Sequence, residues 1–231
     1  MKIRIKRHPF GEEEFRLDLL ENLTLLDLLQ RIKEEKDPTL TFRSMCRAGV
    51  CGTCAIKLDG KPALACSTWI PYEREEVLVE PIDGYRVIRD LVVDHEGLVS
   101  RLRDSEVWLY PLEKWIGVKE GVNQKTSRSW ECILCGICDS VCPVMPIAPY
   151  FGGPLVLTRL YKHLFDPRNA KEERSFEVLK LLNPSLCTHC MNCSYTCPKR
   201  LMPELLIKQE EESLLEKGLL QKQTGFDFLS F

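Results

Sequence analysis

The sequence predicts an α+β chain made of two unlike halves. Three observations carry this. Short runs alternate apolar and polar residues around one helical pattern up to about Glu80. After Pro81-Ile82-Asp83-Gly84 the apolar residues take up helical spacing, and twelve cysteines fall into three groups of four, one group in the first half and two in the second. At 231 residues, 29% charged and 44% hydrophobic, the chain is long and apolar enough to bury a core, which excludes disorder and collagen-like repeats. A formal charge of -2 offers no general attraction to phosphate backbones, so nucleic-acid binding is not expected.

The elements follow in order. Lys2 to Lys6 alternates and reads as an edge strand; Glu14 to Leu19 alternates again, with Gly11 between them as a hairpin turn requires. Thr24 can cap a helix whose apolar residues Leu25, Leu28, Leu29 and Ile32 recur until Asp37-Pro38 stops it. Thr53 to Leu58 is a further strand closed by Asp59-Gly60, and Val77 to Val79 a short one. The helical period then runs through Leu91, Val92, Leu98 and Leu102, and later Leu155, Leu160 and Leu164. Pro203 to Lys222 is charged on one side and leucine-rich on the other, an ordinary solvated amphipathic helix rather than a membrane-surface one. Trp69, Trp108, Trp115 and Trp130 read as core or interface aromatics.

The cysteines need a chemical explanation. The charged, alternating start is unlike a secretory signal and no run approaches the roughly 18 apolar residues of a membrane span. A reducing, cytoplasmic setting is therefore expected, in which metal ligation is favoured over disulfides. Cys46, Cys51, Cys54 and, after a gap, Cys66 follow the plant-type 2Fe-2S spacing, with Gly49 and Gly52 permitting the positive dihedrals and close approach that turn N–H groups toward sulfur. A structural zinc site would use paired Cys-x2-Cys elements, and this loop holds one such pair, Cys51 and Cys54. Cys132, Cys135, Cys138 and Cys142-Pro143 form a Cys-x2-Cys-x2-Cys-x3-Cys-Pro run, repeated 55 residues later as Cys187, Cys190, Cys193 and Cys197-Pro198. In paired-cluster ferredoxins the fourth cysteine of such a run reaches the other cluster. The expected sets are thus crossed: Cys132, Cys135, Cys138 and Cys197 on one 4Fe-4S cluster, and Cys187, Cys190, Cys193 and Cys142 on a third cluster. Fingerprints for nucleotide binding and acyl transfer are lacking, so three one-electron centres describe a wire whose reaction is supplied by a partner.

These motifs closely resemble the iron-sulfur subunit of succinate dehydrogenase and fumarate reductase. The resemblance covers nearly the whole chain, through Ser44-Met45-Cys46-Arg47-Ala48-Gly49-Val50-Cys51-Gly52-Thr53-Cys54, Ala63-Leu64-Ala65-Cys66, Val87-Ile88-Arg89-Asp90-Leu91-Val92-Val93-Asp94, Cys132-Ile133-Leu134-Cys135-Gly136-Ile137-Cys138, the stretch from Gly153-Pro154 to Arg168, Asn192-Cys193 and Cys197-Pro198-Lys199. It implies a plant-type ferredoxin (β-grasp) domain over 1–95 and an α-helical ferredoxin domain over 96–231. It also implies an FAD-bearing flavoprotein partner that interconverts the tricarboxylic-acid-cycle pair succinate and fumarate, with electrons passing from flavin through 2Fe-2S and 4Fe-4S to the third cluster. The expected location is cytoplasmic or peripheral on the cytoplasmic face of the cell membrane.

Two departures refine the resemblance. Most members hold 3Fe-4S at the third site because the position matching Cys190 is not cysteine; a fourth thiolate here predicts 4Fe-4S. Quinone-linked members place a histidine directly after the first cysteine of the last run and a tryptophan a few residues after the fourth cysteine of the middle run; here Thr188 and Ile147 stand there, and Pro143 alone matches. His189, one residue along, reads equally as a quinone contact or as a solvent-facing or cluster-hydrogen-bonding side chain. Both departures resemble an atypical branch, archaeal-type succinate dehydrogenases and thiol-dependent fumarate reductases, whose partner is a cysteine-rich heterodisulfide-reductase-like subunit rather than a quinone-binding membrane anchor. That module is expected on a separate chain, and Phe226, Phe228 and Phe231 form an apolar tail expected to fold back on its own core rather than dock on a partner. The alternatives are an iron-sulfur subunit of another flavoprotein oxidoreductase, which would lack the plant-type domain, and a freely diffusing ferredoxin-like carrier.

Overall fold

Alternating burial along Lys2–Arg7 makes a strand with one face in the core, where Ile3 and Ile5 are fully buried. This strand, β1, forms an antiparallel hairpin with β2 (Gly11–Arg16), registered from Lys2↔Arg16 to Arg7↔Gly11. Gly11, at φ +93°, ends the connection. The computed structural model describes residues 1–114 and 124–221. Trp115, Lys222, Phe226, Phe228 and Phe231 lie outside the described residues.

β1 is not the expected edge. It pairs in parallel with β7 (Glu76–Glu80), Ile3 opposite Val77 and Ile5 opposite Val79, so it is interior to a five-stranded sheet of order β2-β1-β7-β4-β5. Lys2, Arg4 and Lys6 remain tolerable because they alternate with the core residues and pair on the other face: Arg4 bonds Glu12 at 3.0 Å and Glu76 at 2.5 Å. The other side of the sheet is a hairpin of β4 (Ala55–Leu58) and β5 (Lys61–Leu64), turned by Asp59 and Gly60 with φ of +50° and +75°. Two-residue β3 (Leu23–Thr24) and β6 (Trp69–Ile70) pair separately.

Helix α1 (Leu25–Glu35) crosses this sheet. Thr24 caps it, its hydroxyl accepting the Asp27 N–H at 3.1 Å, and Leu25, Leu26, Leu28, Leu29 and Ile32 are buried. Five such side chains contribute on the order of 10 kcal/mol at about 2 kcal/mol each. Sheet, α1 and cap give the first half its β-grasp arrangement.

Leu91 and Val92 do not join a helix as their spacing predicts. Asp90 turns the chain at φ +47° between β8 (Val87–Arg89) and β9 (Val92–Val93), held by a buried ion pair in which Arg7 meets both Asp90 oxygens at 3.0 and 3.1 Å. The carboxylate also accepts the Thr41 N–H at 2.8 Å, and these bonds outweigh the local helical period. The remaining elements are helices: α2 (Glu96–Asp104), α3 (Gln124–Ser127), α4 (Ile137–Ser140), α5 (Gly153–Leu164), α6 (Glu172–Leu181), α7 (Asn192–Thr196) and α8 (Pro203–Glu216). α8 stops at Glu216, and Gly218 follows with φ +68°.

Two cores result. One lies between α1 and the sheet and extends to Cys135 and Ile137; the other joins α5, α6 and α8 through Val156, Leu160, Leu179 and Ile207. Trp69, Trp108 and Trp130 enter neither core, each being at least 40% exposed.

Candidate metal centres

The first four cysteines sit on the loop between α1 and β4 and on the 3-10 turn Ala65–Ser67. Arg47, Gly49 and Gly52 take positive φ of 55°, 65° and 72°, which curls the loop and aims its N–H groups inward. Ala48 and Val50 each donate to Cys46 Sγ at 3.4 Å, and Gly49 donates to Cys66 Sγ at 3.3 Å. The consequences for charge differ within the loop. Donation from Ala48 and Val50 brings the Cys46 thiol down to about 6, while burial pushes Cys54 up to about 11.

The second site forms where both halves meet. Cys132, Cys135, Cys138 and Cys197 line one chamber, three from a single run and the fourth from the other run, alongside Leu155 and Thr158 of α5. Burial pushes Cys135 up to about 12 and raises Cys138 well above the ordinary thiol value. Gly52 is the seam: a Cβ there would stand 2.7 Å from the Ile133 carbonyl oxygen and 2.9 Å from Cys135 Cα, so only glycine lets the first loop rest on the second. Gly136 has the same role against Tyr85, whose hydroxyl donates to its carbonyl at 3.1 Å.

Cys142, Cys187, Cys190 and Cys193 form the third group. Each of Cys142, Cys187 and Cys193 is pushed up by burial, with further upward pressure from others of the four. Cys190 is the exposed member. The two runs share a backbone shape although their residues differ: Leu134 and Gly136 in one, His189 and Met191 in the other, take positive φ of 55°, 77°, 52° and 65°. A methionine in this region carries a backbone penalty of order 1 kcal/mol, maintained by the surrounding packing. His189 lies between two carboxylates, Nδ1 at 2.9 Å from Glu204 and Nε2 at 3.4 Å from Glu211. Thr188 and Ile147 stand beside this group, Ile147 81% exposed.

Several residues of these sites carry no cysteine-like signal in the sequence. Asp139, buried, accepts the Leu155 N–H at 2.9 Å and receives Arg101 at 2.5 Å, fastening α4 to the first turn of α5 and to α2. Arg159 and Lys162 point from α5 toward the second site. Burial brings Lys162 down to about 8 and also lowers Arg159, and the Cys132 thiolate is the negative charge that opposes both shifts. Lys162 also sits 4.2 Å over the Trp130 ring. Among the described residues, no three His, Cys, Asp or Glu side chains converge tightly enough for a single metal ion.

The donor sets fit iron-sulfur clusters on these observations. Thiolates are wrapped by N–H donors at the first site, and at the second an anionic group would have near it the buried Lys162, the half-buried Arg159 and the unpartnered hydroxyl of Thr158.

Comparison with known proteins follows the same division. A model described as a 2Fe-2S iron-sulfur cluster binding domain matches residues 4–100, and one described as a 4Fe-4S dicluster domain matches residues 128–201. The iron-sulfur subunit 3 of Arabidopsis thaliana mitochondrial succinate dehydrogenase is 31% identical over 87% of this chain and 68% of its own length. A subunit of the fumarate reductase (CoM/CoB) of Methanothermobacter marburgensis is 34% identical over 82% of this chain, and an uncharacterized iron-sulfur protein of Methanocaldococcus jannaschii is 34% identical over 87%. The chain spans 38% and 41% of the length of those two relatives. A chain of the Mycobacterium smegmatis Sdh1 complex in the apo form shares the fold, with a TM-score of 0.82 over 96% of this chain and 98% of that one at 21% identity. The two domains in this order, and a relative matched over two thirds of its length, place this protein in the family of iron-sulfur subunits of succinate dehydrogenase and fumarate reductase.

Proposed function

We propose that this chain carries electrons between an FAD-bearing flavoprotein, where succinate and fumarate interconvert, and a second redox partner. The observation that supports it most is the meeting of Cys132, Cys135 and Cys138 with Cys197 in one chamber next to the Gly52 seam, which brings the first two cysteine groups together. We assign Cys46, Cys51, Cys54 and Cys66 to a 2Fe-2S cluster, Cys132, Cys135, Cys138 and Cys197 to 4Fe-4S, and Cys142, Cys187, Cys190 and Cys193 to a third cluster of the 4Fe-4S type. We divide the domains between 95 and 96. Clusters held in this way supply one-electron transfer at potentials set by charge, hydrogen bonding and exposure.

The chain's own residues account for the rest. Ala48, Gly49 and Val50 N–H groups stabilise thiolates at the first site, Asp139 locks the Cys132–Cys142 run to α5, and Gly52 sets the approach of the first loop to that run.

For the second partner we favour a cysteine-rich, thiol-linked subunit over a quinone-binding anchor, because Cys190 completes a fourth ligand and Thr188 and Ile147 replace the quinone-side pair. The relative from Methanothermobacter marburgensis, named a fumarate reductase (CoM/CoB), supports that choice. No described helix is long and apolar enough to cross a membrane. The test is to purify the native complex, identify its subunits and assay fumarate reduction with a quinol and with dithiols. A co-purifying flavoprotein with dithiol-dependent activity is expected; quinol activity with an anchored membrane subunit overturns the thiol-linked reading. Cys190→Ala provides a second test: it should release about one iron per chain and give the oxidised third centre a 3Fe-4S magnetic-resonance signal.

A further inference from the structure

One buried polar group takes no part in the roles above. Thr158 lies mid-way along α5, 1% exposed, and its Oγ1 has no hydrogen-bond partner among the described residues. Helical threonines ordinarily satisfy themselves by donating to the carbonyl one turn back, and this one does not. Thr158 lines the chamber formed by Cys132, Cys135, Cys138 and Cys197. Apart from Thr158 itself, the side chains lining that chamber are apolar, cationic or cysteine, so the four sulfurs are the acceptors they offer. A buried hydroxyl without a partner is unfavourable, and in a chamber whose other polar lining is four sulfurs and a lysine the acceptor open to it is sulfur.

We infer that Thr158 donates an O–H···S hydrogen bond to the cluster held by these four cysteines and thereby sets its reduction potential. Reduction adds one electron and moves no proton. The more negative state accepts the stronger hydrogen bond, so the hydroxyl favours it and raises the midpoint. The α5 cations Arg159 and Lys162 act in the same sense but through space; Thr158 alone offers a directional, neutral donor. This inference rests on the ligand set proposed above.

Thr158→Val removes the hydroxyl at nearly constant shape, and Thr158→Ser keeps it. In the full complex, potentiometric titration followed by magnetic resonance should show the midpoint of this centre moved to lower potential by Thr158→Val. Thr158→Ser should stay close to the wild type, and the 2Fe-2S and third centres should be unmoved. Pulsed magnetic resonance in D2O should find an exchangeable deuteron coupled to this centre in the wild type and lost in Thr158→Val. An unchanged midpoint in a fully loaded Thr158→Val protein overturns the hydrogen bond alone, whereas a wild type lacking a 4Fe-4S signal at this site overturns the ligand set as well. If Thr158→Val loads poorly, the wild-type deuteron decides: its absence overturns the inference.

Discussion

The two cysteine runs of the helical half repeat one spacing and one backbone shape, yet the structure surrounds them with opposite charge. The inner set, with Cys138 deeply buried, shares its chamber with Thr158 and has Arg159 and Lys162 within electrostatic reach of Cys132. The outer set has Cys190 exposed and lies next to Glu204, with His189 held between Glu204 and Glu211. The contrast teaches that a cysteine run fixes what is bound, while the helices packed on it set the field in which an electron is held.

The largest expected effects break the comparison at its ligands. Cys197→Ala should abolish the inner 4Fe-4S signal while the 2Fe-2S signal remains, although Cys197 belongs to the outer run; Cys142→Ala should do the converse. Spectra of the two variants side by side check this, and loss of only the outer centre in Cys197→Ala refutes the crossed sets. Next is the seam. Gly52→Ala forces a Cβ against the Ile133 carbonyl at a positive φ, and should destabilise the protein by about 1–3 kcal/mol, read as a lower denaturant midpoint.

Smaller effects sharpen the contrast of charge. Lys162→Met should lower the inner midpoint and Glu204→Gln raise the outer one, each on the order of 50 mV if about 1 kcal/mol of charge interaction is removed. Redox titration of both centres in both variants reads the signs. The least effect is on pH dependence. Burial, with Lys162 and Arg159 nearby, brings His163 down to about 4 from an ordinary 6.5. The unfolded chain therefore takes up a proton below about 6.5 that the folded chain refuses, so stability is full above that pH and falls toward pH 4, by up to about 3 kcal/mol. His163→Gln should flatten this slope in denaturant titrations between pH 8 and 5.5.

Much of this was legible in the sequence because cysteine and glycine act locally. Spacing alone grouped the twelve cysteines, and the periodicity around Thr24 and Leu25 located α1. The parallel pairing of β1 with β7 was not legible, since partners 74 residues apart leave no local mark and charged residues imitate an edge. Leu91 and Val92 misled because a buried Arg7–Asp90 pair, formed across the fold, overrode their period. Thr158, Arg159 and Lys162 sit in an unremarkable helix, and only packing shows that Thr158 lines the chamber and that the two cations feel the charge of Cys132.

The position of Cys197 in the chamber of Cys132, Cys135 and Cys138 also bears on assembly. The four cysteines proposed for the first site are all present once Cys66 has been synthesised, before either later run has emerged. On the proposed ligand sets, neither of the later sites closes before the Cys187–Cys197 run emerges, because each borrows a ligand from the other. Iron delivery to them is then coupled to the docking of α7 on α4, and a chain stalled between the two runs presents open thiolates rather than a half-built wire.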